Sequence, residues 1–269
     1  MVEISEYEGV TRILMSRVLD GKPVYWVAAY LVDGLLVDTG CHHTSCELAD
    51  FLQDKPVLWA VNTHYHEDHT GANHLLMSRY GIDIYAHPAS IPLIAKGFPL
   101  YPYQEIAWGR PVPTTVRPLG DRVVSPGHLF HVLETPGHCE GHVCLIEPEC
   151  GWCFTGDLFV RENPKFIRPE ENIGMIMASM RKLVDFPADR LVLFTSVGKI
   201  VEDGRSALIR CIAYFSELAG KVHDLKRKGH GIDEIVREVF GGEHPFAGLT
   251  NGQFSSASLV RSLLETVTP

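Results

Sequence analysis

The sequence predicts an α/β fold, and three observations carry that prediction. β-rich apolar runs ending on polar residues alternate with helical stretches through about residue 204. From Gly204 onward the pattern is helical only. The chain of 269 residues is 45% hydrophobic and 21% charged, which supports a sizeable core and excludes disordered, collagen-like and coiled-coil classes. The expected organisation is one large unit over residues 1–204 with a helical extension, 205–269, packed on its core. No internal repeat or low-complexity linker separates them.

Residues 24–32 and 35–37 read as two strands joined by Asp33-Gly34, a dipeptide suited to the positive φ angles of a tight hairpin. The second strand ends on Asp38-Thr39-Gly40. Thr44 or Ser45 is the expected N-cap of a helix through residue 52, and Pro56 precedes a strand at 57–61. A helix over 71–80, a strand at 82–86 and a helix after Pro88 follow. Residues 97–118 carry Pro99, Pro102, Pro111, Pro113 and Pro118 among Phe98, Tyr101, Tyr103 and Trp108, which predicts a long irregular loop that shapes a pocket. Strands are expected at 129–133, 143–146, 152–154 and 191–194, with a helix at 172–185 before the last. Helices should then run to about 228 and over 232–240 and 255–266.

Lys and Arg number 24 against 33 Asp and Glu, a net charge of −9, so the molecule as a whole repels phosphate backbones and nucleic acid is a disfavoured partner. No apolar run approaches the roughly 20 residues of a membrane span. The first twenty residues lack a basic start and an apolar run, so no secretory signal is expected. Seven cysteines, an odd and scattered set, fit reduced thiols and a cytoplasmic location. Histidine, at 14, is the unusual count.

Its densest cluster is Thr63-His64-Tyr65-His66-Glu67-Asp68-His69-Thr70-Gly71, directly after a buried strand. Residues two apart in an extended loop point the same way, so His64 and His66 can share one ion while Asp68 and His69 face a neighbouring one. Packed imidazoles repel on protonation, and a bound cation explains their proximity better than a polar surface loop does.

This pattern resembles the metal-binding motif of the metallo-β-lactamase superfamily. Thr135-Pro136-Gly137-His138 is similar to its third-histidine motif, Thr155-Gly156-Asp157 to its bridging aspartate, and Asp38 to the buried aspartate behind its metal loop. The resemblance covers about residues 10–205 and implies an αββα sandwich of two mixed sheets with metals at one edge. It implies His64, His66 and His138 on a first metal, Asp68 and His69 on a second, Asp157 bridging, and Asp38 orienting a ligand from behind. One or two Zn²⁺ ions are the default, with Fe or Mn fitting the same donors. The implied chemistry is hydrolysis of a small-molecule ester, thioester or lactam-type carbonyl by metal-bound hydroxide, which Asp68 orients as the catalytic carboxylate. The glyoxalase II-like and β-lactamase-like-protein-2 branch is the nearest in style.

One position departs from the pattern. The family's last metal-binding histidine follows the final strand, where this chain has Val197. Either the second metal keeps only Asp68, His69 and Asp157, or water, a thiol or a nearby imidazole completes it, or the site is mononuclear. His42 and His43 lie on a loop expected near the metals, as ligand replacements or pocket lining. His230, in Gly229-His230-Gly231, is a weaker candidate because it precedes a helix. His142 reads as a hydrogen-bonding group behind the ligands, and His87, Tyr101, Tyr103 and Trp108 as pocket candidates. Cys150-Gly-Trp-Cys153 reads as a hairpin turn rather than a zinc or redox pair, and Lys221, Lys226, Arg227 and Lys228 as a basic helix end. Three rival functions share the fold: a mononuclear iron persulfide-dioxygenase-like oxidoreductase, a nuclease, and a non-catalytic metal-binding relic. Oligomeric state stays open, a homo-oligomer included.

Overall fold

The computed structural model describes residues 1–266. Residues 1–23, for which the sequence predicts no element, begin with the paired strands β1 (Val2–Tyr7) and β2 (Val10–Met15). A small hairpin of β3 (Val18–Leu19) and β4 (Lys22–Pro23) leads to β5 (Val27–Val32) and β6 (Leu35–Val37), with β5 starting later than expected because Val24 is exposed. α1 (Ser45–Leu52) follows, but Thr44 does not cap it. The Thr44 hydroxyl instead donates to the Cys41 carbonyl within a short 3₁₀ turn, His42–Thr44.

β7 (Trp59–Asn62), α2 (Asn73–Tyr80), β8 (Asp83–Ala86) and α3 (Ile91–Lys96) then alternate much as the sequence predicts. The stretch 97–118 is not irregular throughout. It holds α4 (Pro102–Ala107), with proline at the first helical position, and the short strand β9 (Arg117–Pro118). The first sheet runs β1-β2-β5-β6-β7-β8-β9, antiparallel to β6 and parallel beyond it.

The second half supplies β10 (Arg122–Val124), β11 (Leu129–Glu134), β12 (Val143–Glu147), β13 (Trp152–Phe154), α5 (Ile173–Val184), β14 (Val192–Phe194) and β15 (Ile200–Val201). These strands form a second mixed sheet in chain order, antiparallel except for the parallel pair β13 and β14. α6 (Gly204–Arg227), α7 (Ile232–Phe240), a further short helix α8 (Pro245–Leu249) and α9 (Ser256–Glu265) complete the described chain. Among these helices, side-chain N-caps from Asn172, Asp203 and Ser255 open α5, α6 and α9.

The layering is αββα, as the resemblance implies. Between the sheets, Tyr30 and Val61 meet Phe130, Leu145, Phe154 and Phe194. Outside the first sheet, Leu48 of α1 and Leu76 of α2 cover Leu36, Ala60 and Ile84. Outside the second, Ile176 of α5, Leu208 and Phe215 of α6 and Leu263 of α9 cover Cys144, Ile146 and Leu193 in one cluster, so the C-terminal helices share the core of the sheet they cover. No described helix is long and apolar enough to cross a membrane.

Strand direction places the site. β6 and β7 are parallel, as are β13 and β14, and β11 runs the same way as β13 through two antiparallel steps. Asp38, Thr63, Thr135, Thr155 and Thr195 therefore leave their strands at one edge of the sandwich, where loops from both sheets meet.

Candidate metal centre

The histidine loop is extended only at its start. Beyond His66 it turns, closed by a hydrogen bond from the His69 amide to the His66 carbonyl, and the turn carries Asp68 and His69 to a second position. Asp38 fixes its base by accepting from the Thr63 amide at 2.8 Å and from the Thr63 hydroxyl. Asn62 donates to the His69 carbonyl at 2.8 Å and pairs with Asn73, so strand β7 and helix α2 hold the far end. The second sheet approaches through Gly156, at φ 47°, where a Cβ would lie 2.7 Å from His142 Nε2 and 2.9 Å from Thr63 Oγ1. Only glycine lets the Asp157 loop come this close.

Six of the residues named from the sequence converge here. His66 Nδ1 lies 2.9 Å from both His64 Nε2 and His138 Nε2. A nitrogen can hold one proton and so can satisfy one of these contacts, whereas a cation between three ring nitrogens satisfies all of them. His64, His69 and Asp157 form a second group of converging donor atoms. His69 Nε2 faces Asp157 Oδ1 at 3.2 Å and Asp68 Oδ2 at 3.8 Å, yet it is buried without a hydrogen bond, as are Asp68 Oδ1 and Asp157 Oδ1. Orphaned donor atoms of this kind, aimed at one another in a buried pocket, fit one or two divalent ions and are costly without them.

Each outer nitrogen is already committed. His69 Nδ1–H donates to Asp38 at 2.7 Å and His138 Nδ1–H to Glu171, which leaves the Nε2 atoms facing the centre. His142 Nε2 accepts from the Asp157 amide at 3.1 Å while its Nδ1–H donates to the Thr135 hydroxyl. Burial, reinforced by the neighbouring imidazoles of His138 and His69 and only partly opposed by Asp157, brings His142 down to about 3, so it is the neutral acceptor this geometry requires. Burial likewise holds His64 and His66 well below the ordinary imidazole range, aided by the imidazoles around them and, for His66, by Arg168. Neutral imidazole is the metal-binding form. Burial lowers His69 too, but Asp38, Asp68 and Asp157 outweigh it and the net direction is up, the signature of a position that takes a proton or a metal ion.

The remaining candidates are dispersed. His43 contacts the Glu105 carbonyl and Arg17, and neither it nor His42 lines the cavity beside the centre. His42 Nδ1 is buried without a partner. His87 is not in the pocket: its Nδ1 accepts from the Ala89 amide and its Nε2 faces Glu134. Val197 lines the cavity next to Ser196. His230 sits in the turn from α6 to α7 and belongs to none of the clusters of potential metal donors among the described residues. Cys150 lies in the β12–β13 hairpin turn, where its amide donates to Glu147. Trp108 is buried and lines the cavity, Tyr103 packs between Trp108 and Phe254, and Tyr101 is exposed.

Three participants have no signal in the sequence pattern. Glu171 orients His138, Arg168 enters the cavity, and Gln104 of α4 donates to the buried Glu67 at 2.7 Å. Glu171 and Arg168 come from a connection with no periodicity, and only the adjacent N-cap, Asn172, marks that stretch as structured. Because an orienting carboxylate sets ligand basicity, Glu171→Gln should weaken metal affinity by about 10- to 100-fold. Competition with a chromophoric chelator measures this, and unchanged affinity would remove Glu171 from the site.

The family model described as the metallo-beta-lactamase superfamily matches residues 27–195. The chain belongs to that superfamily. The match runs from β5 to the end of β14 and contains every strand end that contributes to the centre. Within the superfamily, the chain is 31% identical over 135 residues to a hydroxyacylglutathione hydrolase of Rhizobium meliloti strain 1021, covering 50% of this chain and 46% of that one. It is 25% identical over 192 residues to an atrochrysone carboxyl ACP thioesterase of Claviceps purpurea strain 20.1, covering 66% and 53%. The chain thus spans about half the length of these curated relatives. A solved beta-lactamase domain protein from Burkholderia ambifaria shares the fold with a TM-score of 0.73 at 19% identity, over 97% of this chain and 88% of that one.

Proposed function

We propose that the protein is a metal-dependent hydrolase that cleaves an ester, thioester or lactam-type carbonyl of a small molecule, with zinc the default metal and iron or manganese compatible with the same donors. The observation that carries this reading is the pair of carboxylate-clamped imidazoles, His69 on Asp38 and His138 on Glu171, whose Nε2 atoms face the two oxygens of Asp157 at 3.2 and 3.3 Å, with His69 Nε2 and Asp157 Oδ1 both buried without a hydrogen bond. His64, His66 and His138 would hold one ion, and Asp68, His69 and Asp157 a second whose protein ligand set is one short at Val197. A divalent metal at this place supplies Lewis acidity at a carbonyl oxygen and lowers the pKa of a water.

The chain's own groups do the positioning. Asp68 Oδ1, buried and unpaired, is the carboxylate available to orient a water and accept its proton. No protein nucleophile is needed, and burial pushes the Cys139 and Cys41 thiols up, which disfavours the nucleophilic thiolate. Residues 1–204 supply the donors, and residues from the C-terminal extension, Phe215, Phe246 and Phe254, wall the cavity beside them. The thioesterase among the relatives favours a thioester within the substrate class.

The test is removal of metal with a chelator, followed by return of Zn²⁺, Fe²⁺ or Mn²⁺ and assay against chromogenic thioesters, esters and lactams. Turnover of at least one class should vanish on stripping and return with metal. Turnover that is indifferent to metal overturns the reading.

A further inference from the structure

We infer that Arg168 seats an anionic group of the substrate, a carboxylate, so that the molecule processed here is an apolar acyl compound carrying a negative charge. The word substrate rests on the hydrolase reading; the anion seat stands without it.

Arg168 lies between β13 and α5 and is 4% exposed. Its backbone is fastened on both sides: the Arg168 amide donates to Glu171 at 2.7 Å, and Ile167 bridges Ser255. The side chain is not fastened. Its guanidinium stacks 5.0 Å over the Phe254 ring, its Nε is buried without a hydrogen bond, and no carboxylate oxygen of the described residues forms a salt bridge with it within 4.0 Å. The acids around it have other tasks. Asp68 and Asp157 belong to the candidate centre, Glu171 accepts from His138 and from the Arg168 amide, and Glu67, whose charge acts on the guanidinium, accepts from Gln104 through Oε1 and makes no hydrogen bond to Arg168. A buried guanidinium with an N–H that no acceptor meets is costly to retain, so a fold that keeps one has a use for its free donor.

The surroundings say what that use is. Arg168 lines a cavity of about 130 Å³ together with Asp68, His138 and Asp157, so a molecule in it touches the arginine and the centre at once. The cavity wall includes Leu158, Phe166 and Phe254, which suits an apolar acyl or aryl portion. Two more buried polar groups without partners stand nearby, Trp108 Nε1 and Tyr103 OH. Their rings are 6.2 Å apart, and the Tyr103 ring is 5.9 Å from Phe254, under which Arg168 lies. Arg168 and Trp108 both line the cavity and each carries a buried N–H without an acceptor, the kind of donor a carboxylate accepts from.

The probes are phenylacetate, an aryl carboxylate, and its neutral isostere phenylacetamide, titrated calorimetrically into the zinc-loaded protein. Phenylacetate should bind at least about tenfold more tightly. Arg168→Gln should abolish this preference while the zinc content stays unchanged. Equal affinities in the wild type overturn the inference, as does a preference that survives in Arg168→Gln, since the carboxylate would then be held by the metal alone. If Arg168→Gln does not fold, Trp108→Phe, which removes one donor and keeps a ring, decides in its place: a smaller preference supports the seat and an unchanged one overturns it. Absence of turnover on every ester, thioester and lactam with the preference intact would retire the hydrolase reading and leave the anion seat standing.

Discussion

His66→Ala should lose at least about 10³-fold in kcat/KM, equivalent to about 4 kcal/mol of transition-state stabilisation. His66 is the one ring whose nitrogen meets two others at 2.9 Å, so its removal breaks the first donor set at its middle rather than at its edge. His64 and His138 then keep their positions, since Asp38, Thr63 and Glu171 and not His66 anchor their surroundings. The loss should therefore register as metal content falling by about one ion per chain, with far-UV circular dichroism unchanged. A variant that keeps a tenth of wild-type turnover would exclude His66 from the reacting centre.

Phe154→Ala should cost about 3–5 kcal/mol of stability, a large part of the 5–15 kcal/mol typical of a folded domain. Phe154 is 1% exposed and stacks on Phe194 at 5.0 Å, while Tyr30 from the opposite sheet packs at 5.4 Å, so truncation opens a void where the two sheets meet. The residue also pairs with Leu145 and Phe194 immediately before Thr155-Gly156-Asp157. Loosening it should free the Asp157 loop as well. Urea unfolding at fixed metal concentration measures the effect, because metal bound only by the native state adds its own stabilisation. A shift below about 1 kcal/mol would contradict the packing described for the inter-sheet core.

Much of the candidate centre was legible because its information is local. His64, His66, Asp68 and His69 occupy one loop, and their spacing reports convergence before any fold is known. His138 and Asp157 each follow a strand and carry a glycine that marks a close approach: at Gly137 a Cβ would lie 2.5 Å from the Ile176 amide of α5. Strands β5 to β8 and β11 to β14 and helices α6, α7 and α9 were likewise visible as apolar periodicity. β1 and β2 were not, because β1 is an edge strand with half its side chains in solvent and carries little hydrophobic signal. α4 was hidden by the prolines around it, although Pro102 at its first turn is the position a helix tolerates.

The sequence by itself therefore determined the αββα class, the identity of the converging residues, and the absence of a histidine at Val197. Tertiary structure alone decided which groups stand behind them. Glu171 reaches His138 across 33 positions and Asp38 reaches His69 across 31. His87, placed by sequence near a pocket, instead faces Glu134, 47 positions away. Arg168 acquires meaning only because helices from the far end of the chain bring Phe254 over its guanidinium and close the cavity. The division follows from range: spacing within one loop fixes which side chains share a direction, whereas the partner of a buried charge is chosen by sheets and helices that meet only after the chain has folded.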